Sequence, residues 1–314
     1  MTTARAAAFD GILVLDKPAG PTSHDMVALV RRLSGTRRIG HGGTLDPFAN
    51  GVLPLFLGSA TRVVEYHLGD RKTYRATVCF GASSTTDDLE GTLEPSAGPG
   101  PDRPSVEAAL DRFRGTIDQR PPAHSAIKVG GRRAYALARA GQTVELRPRT
   151  ITIHRLDIIE FDASDPERPI AIVEVECSAG TYVRALARDL GAAVDNAAYL
   201  GALTRLASGP FTLDRAVSVD AIREAAGAGP DGIRRLLLPV EAGLEQFPRI
   251  TVAPAEVGAV VRGQFIRPHD AQPQDVESPL RLVDSKGRLI AIGRWSDGRI
   301  VPDKVLVAVG ETTS

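Results

Sequence analysis

The sequence predicts an α+β protein with a largely antiparallel sheet and a small β-rich unit at its C-terminal end. Strand-like and helix-like segments mix without the regular β-α-β alternation that a parallel sheet requires. Thr73 to Phe80 alternates, with Tyr74, Ala76, Val78 and Phe80 on one face, which is the period of a half-buried strand. From about Ile250 the texture changes to short strands broken by turns.

With 314 residues, 43% of them hydrophobic, the chain can fill one large domain and a small one. Residues 1–10 read as a frayed terminus, and Gly11 to Leu15 as a short buried strand that Pro18 to Pro21 ends with turn chemistry. A helix follows: Thr22 and Asp25 fit a capping box, Val27, Val30 and Leu33 recur at helical spacing, and Gly35 stands at the C-terminal stop. Arg38 to Pro54 contains Gly40, Gly42, Gly43, Gly51, Pro47 and Pro54, which predicts a loop held by its surroundings. A second helix is expected over Ser105 to Arg114, stopped by Gly115, and a strand over Ile170 to Cys177. Thr181 then caps a helix whose apolar stripe is Val183, Leu186, Ala187 and Leu190. Ala225 to Gly232 reads as a loop. Ile250 to Val252, Leu280 to Val283, Leu289 to Ile292 and Val305 to Val309 are the expected strands of the last unit, near the lower size at which a domain folds alone.

Composition removes several function classes. Cys79 and Cys177 supply no zinc set and are expected as buried free thiols, and the six histidines are scattered without metal-ligand spacing. No apolar run approaches a membrane span and Met1 to Phe9 lacks a secretory core, so a cytoplasmic protein without membrane contact is expected. Gly227 to Gly232 matches G-x-G-x-x-G, but no strand precedes it and Pro230 occupies the helix start, which removes a dinucleotide site. Gly40-His-Gly-Gly43 is similar to an esterase oxyanion loop, yet the chain has no G-x-S-x-G elbow. Net charge is zero, with 38 basic and 38 acidic residues, but its distribution is uneven. Arg31, Arg32, Arg37 and Arg38 lie in an acid-free stretch, and Arg120 to Arg155 holds eight basic residues against Glu145 alone. Local clusters of this kind, rather than total charge, neutralise phosphates.

The loop around Asp46 carries the chemical signal. Pro47 steers Asp46 toward an extended conformation, and the surrounding glycines let backbone approach a ligand closely. By itself Asp-Pro is a common turn initiator. However, His41-x-Gly43-Thr44-Leu45-Asp46-Pro47 with Gly51-Val-Leu-Pro54 closely resembles the catalytic motif of the TruB family of pseudouridine synthases. The resemblance spans nearly the whole chain. Asp16-Lys17-Pro18-x-Gly20-x-Thr22-Ser23 resembles the family's N-terminal motif, and Lys72-Thr-Tyr74 the segment carrying its active-site tyrosine. Pro122-Ala-His-Ser-Ala-Ile-Lys128 with Gly131-Arg-Arg-Ala-Tyr135-x-x-Ala138-Arg139 resembles its substrate-gripping insertion. Cys177-Ser-x-Gly180-Thr-Tyr-Val-Arg184-x-Leu-x-x-Asp189-Leu-Gly191 is similar to its arginine motif, and Leu203-x-Arg205 to its late pocket segment.

The resemblance implies a synthase core over residues 11–245, a PUA-like RNA-binding domain over 250–310, and conversion of a T-loop uridine of tRNA, position 55, to pseudouridine without cofactor or metal. It implies Asp46 as nucleophile, or as the base that starts an elimination at the sugar, Arg184 as its counter-ion, and Tyr74 stacked on the flipped uracil and placed to accept the C5 proton. The resemblance further implies that His41 fills the space that the base vacates, that Lys17 and Pro18 support the catalytic loop, that Leu203 packs on the pocket floor, and that Lys128, Arg132 and Arg133 meet phosphates of the T arm. The acidic loop, often Thr-Asp-Thr-x-Asp in the family, reads Ser84-Thr85-Thr86-Asp87-Asp88, so Asp88 keeps the family position while Thr85 departs from it. Thr204 stands in the middle of a segment that is commonly Leu-Arg-Arg. A stand-alone monomeric enzyme needing no protein partner is expected; the alternatives are a non-catalytic tRNA-folding chaperone of this fold and a guide-RNA-dependent relative, which the short termini without Lys-rich extensions disfavour.

Overall fold

The computed structural model describes residues 9–125, 127–129, 131–134, 137, 146–267 and 279–307. In chain order the strands are β1 Gly11–Lys17, β2 Ile39–His41, β3 Asn50–Leu57, β4 Lys72–Phe80, β5 Ala82–Ser84, β6 Leu93–Pro95, β7 Gly115–Gln119, β8 Lys128–Val129 and β9 Arg132–Arg133. They continue with β10 Arg149–Asp162, β11 Ile170–Cys177, β12 Ala198–Ser208, β13 Phe211–Thr212, β14 Arg249–Thr251, β15 Leu280–Val283, β16 Leu289–Ser296 and β17 Arg299–Val305. A nine-stranded sheet runs β1-β3-β12-β4-β11-β10-β7, with β2 added to β3 and β13 to β12. Its pairings are antiparallel except the short parallel contact of β12 with β3. The mixed α+β class read from the sequence is the class observed.

Two cores explain why β1 and β3 are apolar on both faces. Leu13, Leu15, Leu53, Leu55 and Leu57 pack on one side against Met26, Val27, Leu29 and Val30 of the helix Ser23–Ser34. Ile12, Val14, Val52 and Phe56 point the other way, toward Phe211 and toward Val283, Leu289, Ile292 and Leu306. A strand covered on both faces reads as a continuous hydrophobic run, as Gly11 to Leu15 does. The third core lies further along the sheet. There Ala76, Val78 and Phe80 of β4 pack with Val106 and Leu110 of the helix Arg103–Leu110 and with Leu186 and Leu190 of the helix Val183–Ala193.

Tertiary pairing redraws several sequence expectations. Arg38 to Pro54 is not one loop, because β2 and the first residues of β3 fall within it, β2 pairing antiparallel with Leu55 to Leu57 just beyond it, and only the stretch between the strands is irregular. Pro54 sits inside β3 without breaking the sheet. On its sheet-neighbour side it falls between the β2 and β12 pairings, and only its carbonyl is called upon, accepting from the Gly42 N–H at 2.9 Å. The second helix is Arg103–Leu110, started by Asp102, whose carboxylate accepts from the Ser105 N–H at 2.9 Å. Thr181 is no cap: its hydroxyl donates to Ser178 O, and Tyr182 holds the N-cap position with no side-chain bond. Ala225 to Gly232 is mostly helical, from the helices Val219–Gly227 and Pro230–Arg234, with Pro230 in the first turn. In the last unit the final described strand is Arg299–Val305, a helix Pro254–Val261 was not foreseen, and Ala308 and Val309 lie outside the described residues. The sheet β14-β15-β16-β17 has its own core around Val252, Ile266 and Ile290, yet also contributes to the core of β1 and β3. Both cysteines are free thiols, but Cys79 is only half-buried.

The capping box and C-terminal glycine of the first helix are present as read: Thr22 and Asp25 exchange bonds, and Gly35 is left-handed at φ 68°. Gly51 is required more strongly. It pairs with Arg205 across the β3–β12 contact at φ 98°, and a Cβ there would lie 2.3 Å from Arg205 O. Gly51→Ala therefore loses about 3 kcal/mol or more of stability in chemical denaturation, since the backbone conformation and the clash both oppose it. A loss below about 0.5 kcal/mol, the scale of a neutral surface change, would show that this contact is not needed.

Candidate active site

The loop between β2 and β3 presents Asp46, and three elements hold it. Lys17, the last residue of β1, is fully buried and donates to Pro18 O at 2.9 Å, Pro47 O at 3.1 Å and Ala49 O at 2.6 Å. Burial pushes the Lys17 ammonium down to about 8, with the Asp46 charge opposing the shift. Ser23, first in its helix, accepts from the Leu45 N–H at 2.9 Å and donates to Leu45 O at 3.2 Å. Arg205 on β12 donates to Val52 O at 2.7 Å and Gly43 O at 3.1 Å. A carboxylate on a glycine-rich loop is thereby fixed on both sides of its own residue.

Arg184 completes the arrangement from the first turn of the helix Val183–Ala193. Its Nε lies 3.0 Å from Asp46 Oδ2, and its Nη2 donates to Asp46 Oδ1 at 3.4 Å and His124 O at 3.1 Å. Its Nη1 donates to Asp88 Oδ2 and to Thr86 O, both at 3.1 Å. Its two Nη groups thus make four hydrogen bonds, and Nε adds the ion-pair contact with Asp46. The Arg184 and Asp88 side chains are 8% and 3% exposed, whereas Asp46 keeps 36%, so the Asp46 carboxylate faces an opening while the groups behind it are sealed. Partial burial nevertheless raises the Asp46 carboxyl above the ordinary value, with Asp88 adding to the rise and Arg184 opposing it. Burial thus outweighs the opposing Arg184 charge, and Arg184 is also bonded to the second carboxylate, Asp88.

Tyr74 lies on β4 beside β12, with Leu203 buried opposite Ala76 in the same ladder. Burial raises the Tyr74 phenol, and the Arg205 guanidinium, hydrogen-bonded to it, pulls the other way. His41 ends β2. Burial, His24 and Arg205 all lower its affinity for a proton, and its Nδ1 accepts from the Gly43 N–H at 3.4 Å, which assigns the ring proton to Nε2. The His24 ring meets it edge-on at 6.0 Å. A neutral ring of this kind suits stacking and space-filling rather than proton transfer at neutral pH.

Asp46, Arg184, Asp88, Lys17, Pro18, Tyr74, His41 and Leu203 therefore belong to one region of the fold. Of the basic residues of the insertion, Arg132 is exposed on the small β8–β9 hairpin, and the side chains of Lys128 and Arg133 lie outside what is described. Among the described residues no group of three or more metal-ligating side chains exists. No helix among them is long and apolar enough to cross a membrane.

Residues 31–183 match the family model described as TruB family pseudouridylate synthase, N terminal domain. Residues 184–245 match the tRNA pseudouridylate synthase B C-terminal domain, and 248–306 the pseudouridine synthase II TruB C-terminal model. A protein of Bradyrhizobium diazoefficiens named tRNA pseudouridine synthase B is 41% identical over 97% of this chain and 88% of its own length. The chain belongs to the TruB family. Proteins of the same name from Azoarcus sp. and Symbiobacterium thermophilum are 40% and 46% identical, over 95% and 82% of this chain and 95% and 83% of theirs. The crystal structure of a Cbf5-Nop10-Gar1 complex superposes with a TM-score of 0.71 at 25% identity, covering 96% of this chain and 86% of that one.

Within this TruB family member, Arg205 is the main site residue to which sequence reasoning gave no role, although it ends the Leu203-x-Arg205 motif. It is 1% exposed and makes no ion pair among the described residues, which is rare for a charged group. The signal was available: Arg205 falls in phase with Leu203 on an apolar strand, where a charge implies internal partners. Thr204 points the opposite way and is half-buried. Ser23 stood in the N-terminal motif without an assigned role, and the Gln119 amide, which bonds both Tyr182 O and Tyr182 N, left no local signal at all.

Proposed function

We propose that this protein isomerises a T-loop uridine of tRNA to pseudouridine, with Asp46 as the reacting carboxylate. The observation that carries the reading is the Asp46–Arg184 pair, open to solvent on the carboxylate side and sealed behind by Asp88. The bond from sugar C1' to uracil N1 breaks, the base turns, and C1' joins C5. The C5 proton leaves and N1 gains one, so the product is an isomer and no redox partner is required. Asp46 acts as nucleophile or as the base that begins an elimination at the sugar, and both routes demand its ionised form. Arg184 orients that carboxylate. Tyr74 faces the extracted uracil and relays the C5 proton, while His41 occupies the space the base leaves. Lys17, Pro18 and Leu203 hold the loop and floor against the unstacking cost of a few kcal/mol.

Phosphate contacts come from the insertion through Lys128, Arg132 and Arg133, and from a PUA-like domain over residues 250–310. The protein works in the cytoplasm as a monomer, without a protein partner, metal or cofactor. The test is tritium release from 5-labelled uridine in tRNA transcripts, using purified protein alone. Release from the unaltered transcript and none after replacement of the T-loop uridine supports the reading; equal release from both overturns the position. Removing charge at Arg132 and Arg133 weakens binding and lowers the log–log salt slope by roughly one unit per lost contact. An unchanged slope moves the RNA path elsewhere.

A further inference from the structure

Arg188 stands one turn after Arg184 on the same helix but does not touch Asp46. Its Nη1 donates to Asp87 Oδ2 at 2.7 Å, its Nε to Asp189 Oδ1 at 2.9 Å and its Nη2 to Arg120 O at 2.9 Å. Asp87 and Asp88 are consecutive, so two neighbouring carboxylates meet two guanidiniums one turn apart. The same guanidiniums also hold the chain entering the insertion, Arg188 at Arg120 O and Arg184 at His124 O. Asp87 is one of only three non-glycine residues with positive φ among those described, at 62°. In that conformation its carbonyl accepts from the Leu200 N–H at 3.0 Å while its carboxylate reaches Arg188. Thr85 of the same loop is exposed, and its hydroxyl accepts from the Thr92 N–H, so the two carboxylates of the loop that reach the helix are Asp87 and Asp88.

We propose that the Asp87–Arg188 pair is a positioning device for Asp46, holding the acidic loop so that Asp88 and Thr86 O keep Arg184 aimed at the reacting carboxylate. The inference rests on the function proposed above. Asp88 has no freedom of its own: Oδ2 is committed to Arg184, while Oδ1 accepts from the Glu90 N–H and the Thr86 hydroxyl. The loop therefore moves as a unit. Its described ion-pair tethers to the helix are those two arginines. Without Arg188 the Asp87 carboxylate, only 14% exposed, is left unpaired and draws the loop toward water. Arg184 then loses two of its acceptors, and Asp46 loses its fixed orientation.

The experiment measures single-turnover conversion of the labelled tRNA transcript at saturating enzyme, together with tRNA affinity and the pH–rate profile, for Arg188→Met, Arg188→Lys, Asp87→Asn and Arg184→Lys. The rate is expected to fall about 100-fold in Arg188→Met, the effect of a displacement on the order of 1 Å, with affinity changed less than about threefold. The acid limb should move to higher pH, which an effect on folding alone would not produce. Arg184→Lys with Arg188→Met should be no slower than Arg184→Lys alone, since both act through one group. Should Arg188→Met fail to fold, Arg188→Lys and Asp87→Asn give the same readouts with smaller changes of charge or volume. An unimpaired rate, an affinity loss that saturating enzyme repairs, or independent multiplication of the two rate effects would each overturn the inference. Absence of conversion by the unaltered protein overturns the functional reading and this inference together.

Discussion

Asp46→Asn should abolish turnover while leaving tRNA binding close to intact. Asparagine keeps the size and the acceptor that faces Arg184 but removes the charge and the nucleophilic oxygen pair. The rate should drop by at least about four orders of magnitude, near 5.4 kcal/mol of barrier, whereas affinity should stay within about tenfold, or 1.4 kcal/mol, because it rests on phosphates. The pH dependence follows from the same carboxyl. Its acidity is weakened by burial, so kcat/KM of the unaltered protein should fall on the acid side with a midpoint above 3.8, the ordinary value. An alkaline limb near 8 is expected where Lys17 loses its proton and one of three carbonyls loses its donor.

Stability should change in the opposite direction from activity. A raised carboxyl pKa means the ionised form opposes folding. That opposition is absent below the ordinary value, where both states hold the proton, and complete above the raised one. Asp46→Asn should therefore melt at or above the temperature of the unaltered protein at pH 7, with the gap closing as pH falls through the raised value. Residual pseudouridine from the variant, after exclusion of contaminating host enzyme, would remove Asp46 from the chemistry. A lowered melting temperature with lost binding would restore its reading as a turn former.

Arg184→Lys should be the second most damaging change. Lysine keeps the charge, but one ammonium with three N–H groups cannot serve five acceptors arranged around a planar fork. At least two acceptors lose their donor, and the carboxylate loses its paired orientation. The rate should fall between about 100- and 1,000-fold, or 2.7 to 4 kcal/mol, with tRNA affinity within about threefold. A rate within about threefold of the unaltered protein would show that charge alone suffices and that the fork does not orient Asp46.

The sequence by itself determined what depends on near neighbours. The capping box at Thr22 and Asp25, the stop at Gly35, the alternation of β4 and the apolar face of the Arg184 helix are set by contacts within a few residues, so period and turn chemistry reveal them. The motif around Asp46 and the family it belongs to were equally legible, since residue identity at fixed spacing survives without coordinates. Only the tertiary structure decided which groups share a partner. Asp46 and Arg184 are separated by 138 residues and Arg205 reaches Val52 across 153, distances over which no local propensity acts. β3 emerged from a stretch dense in glycine and proline because β1 and β12 supply hydrogen bonds that the segment cannot find internally, and β2 then pairs with the end of β3. Thr181 lost the cap to a local competitor instead, its hydroxyl taking Ser178 O three residues back. The division of Arg184 between Asp46 and Asp88, and the fastening of Asp87 to Arg188, are choices among chemically equal partners. Such choices are made by geometry: a guanidinium bonds whichever acceptors the packed sheet and helix bring within reach.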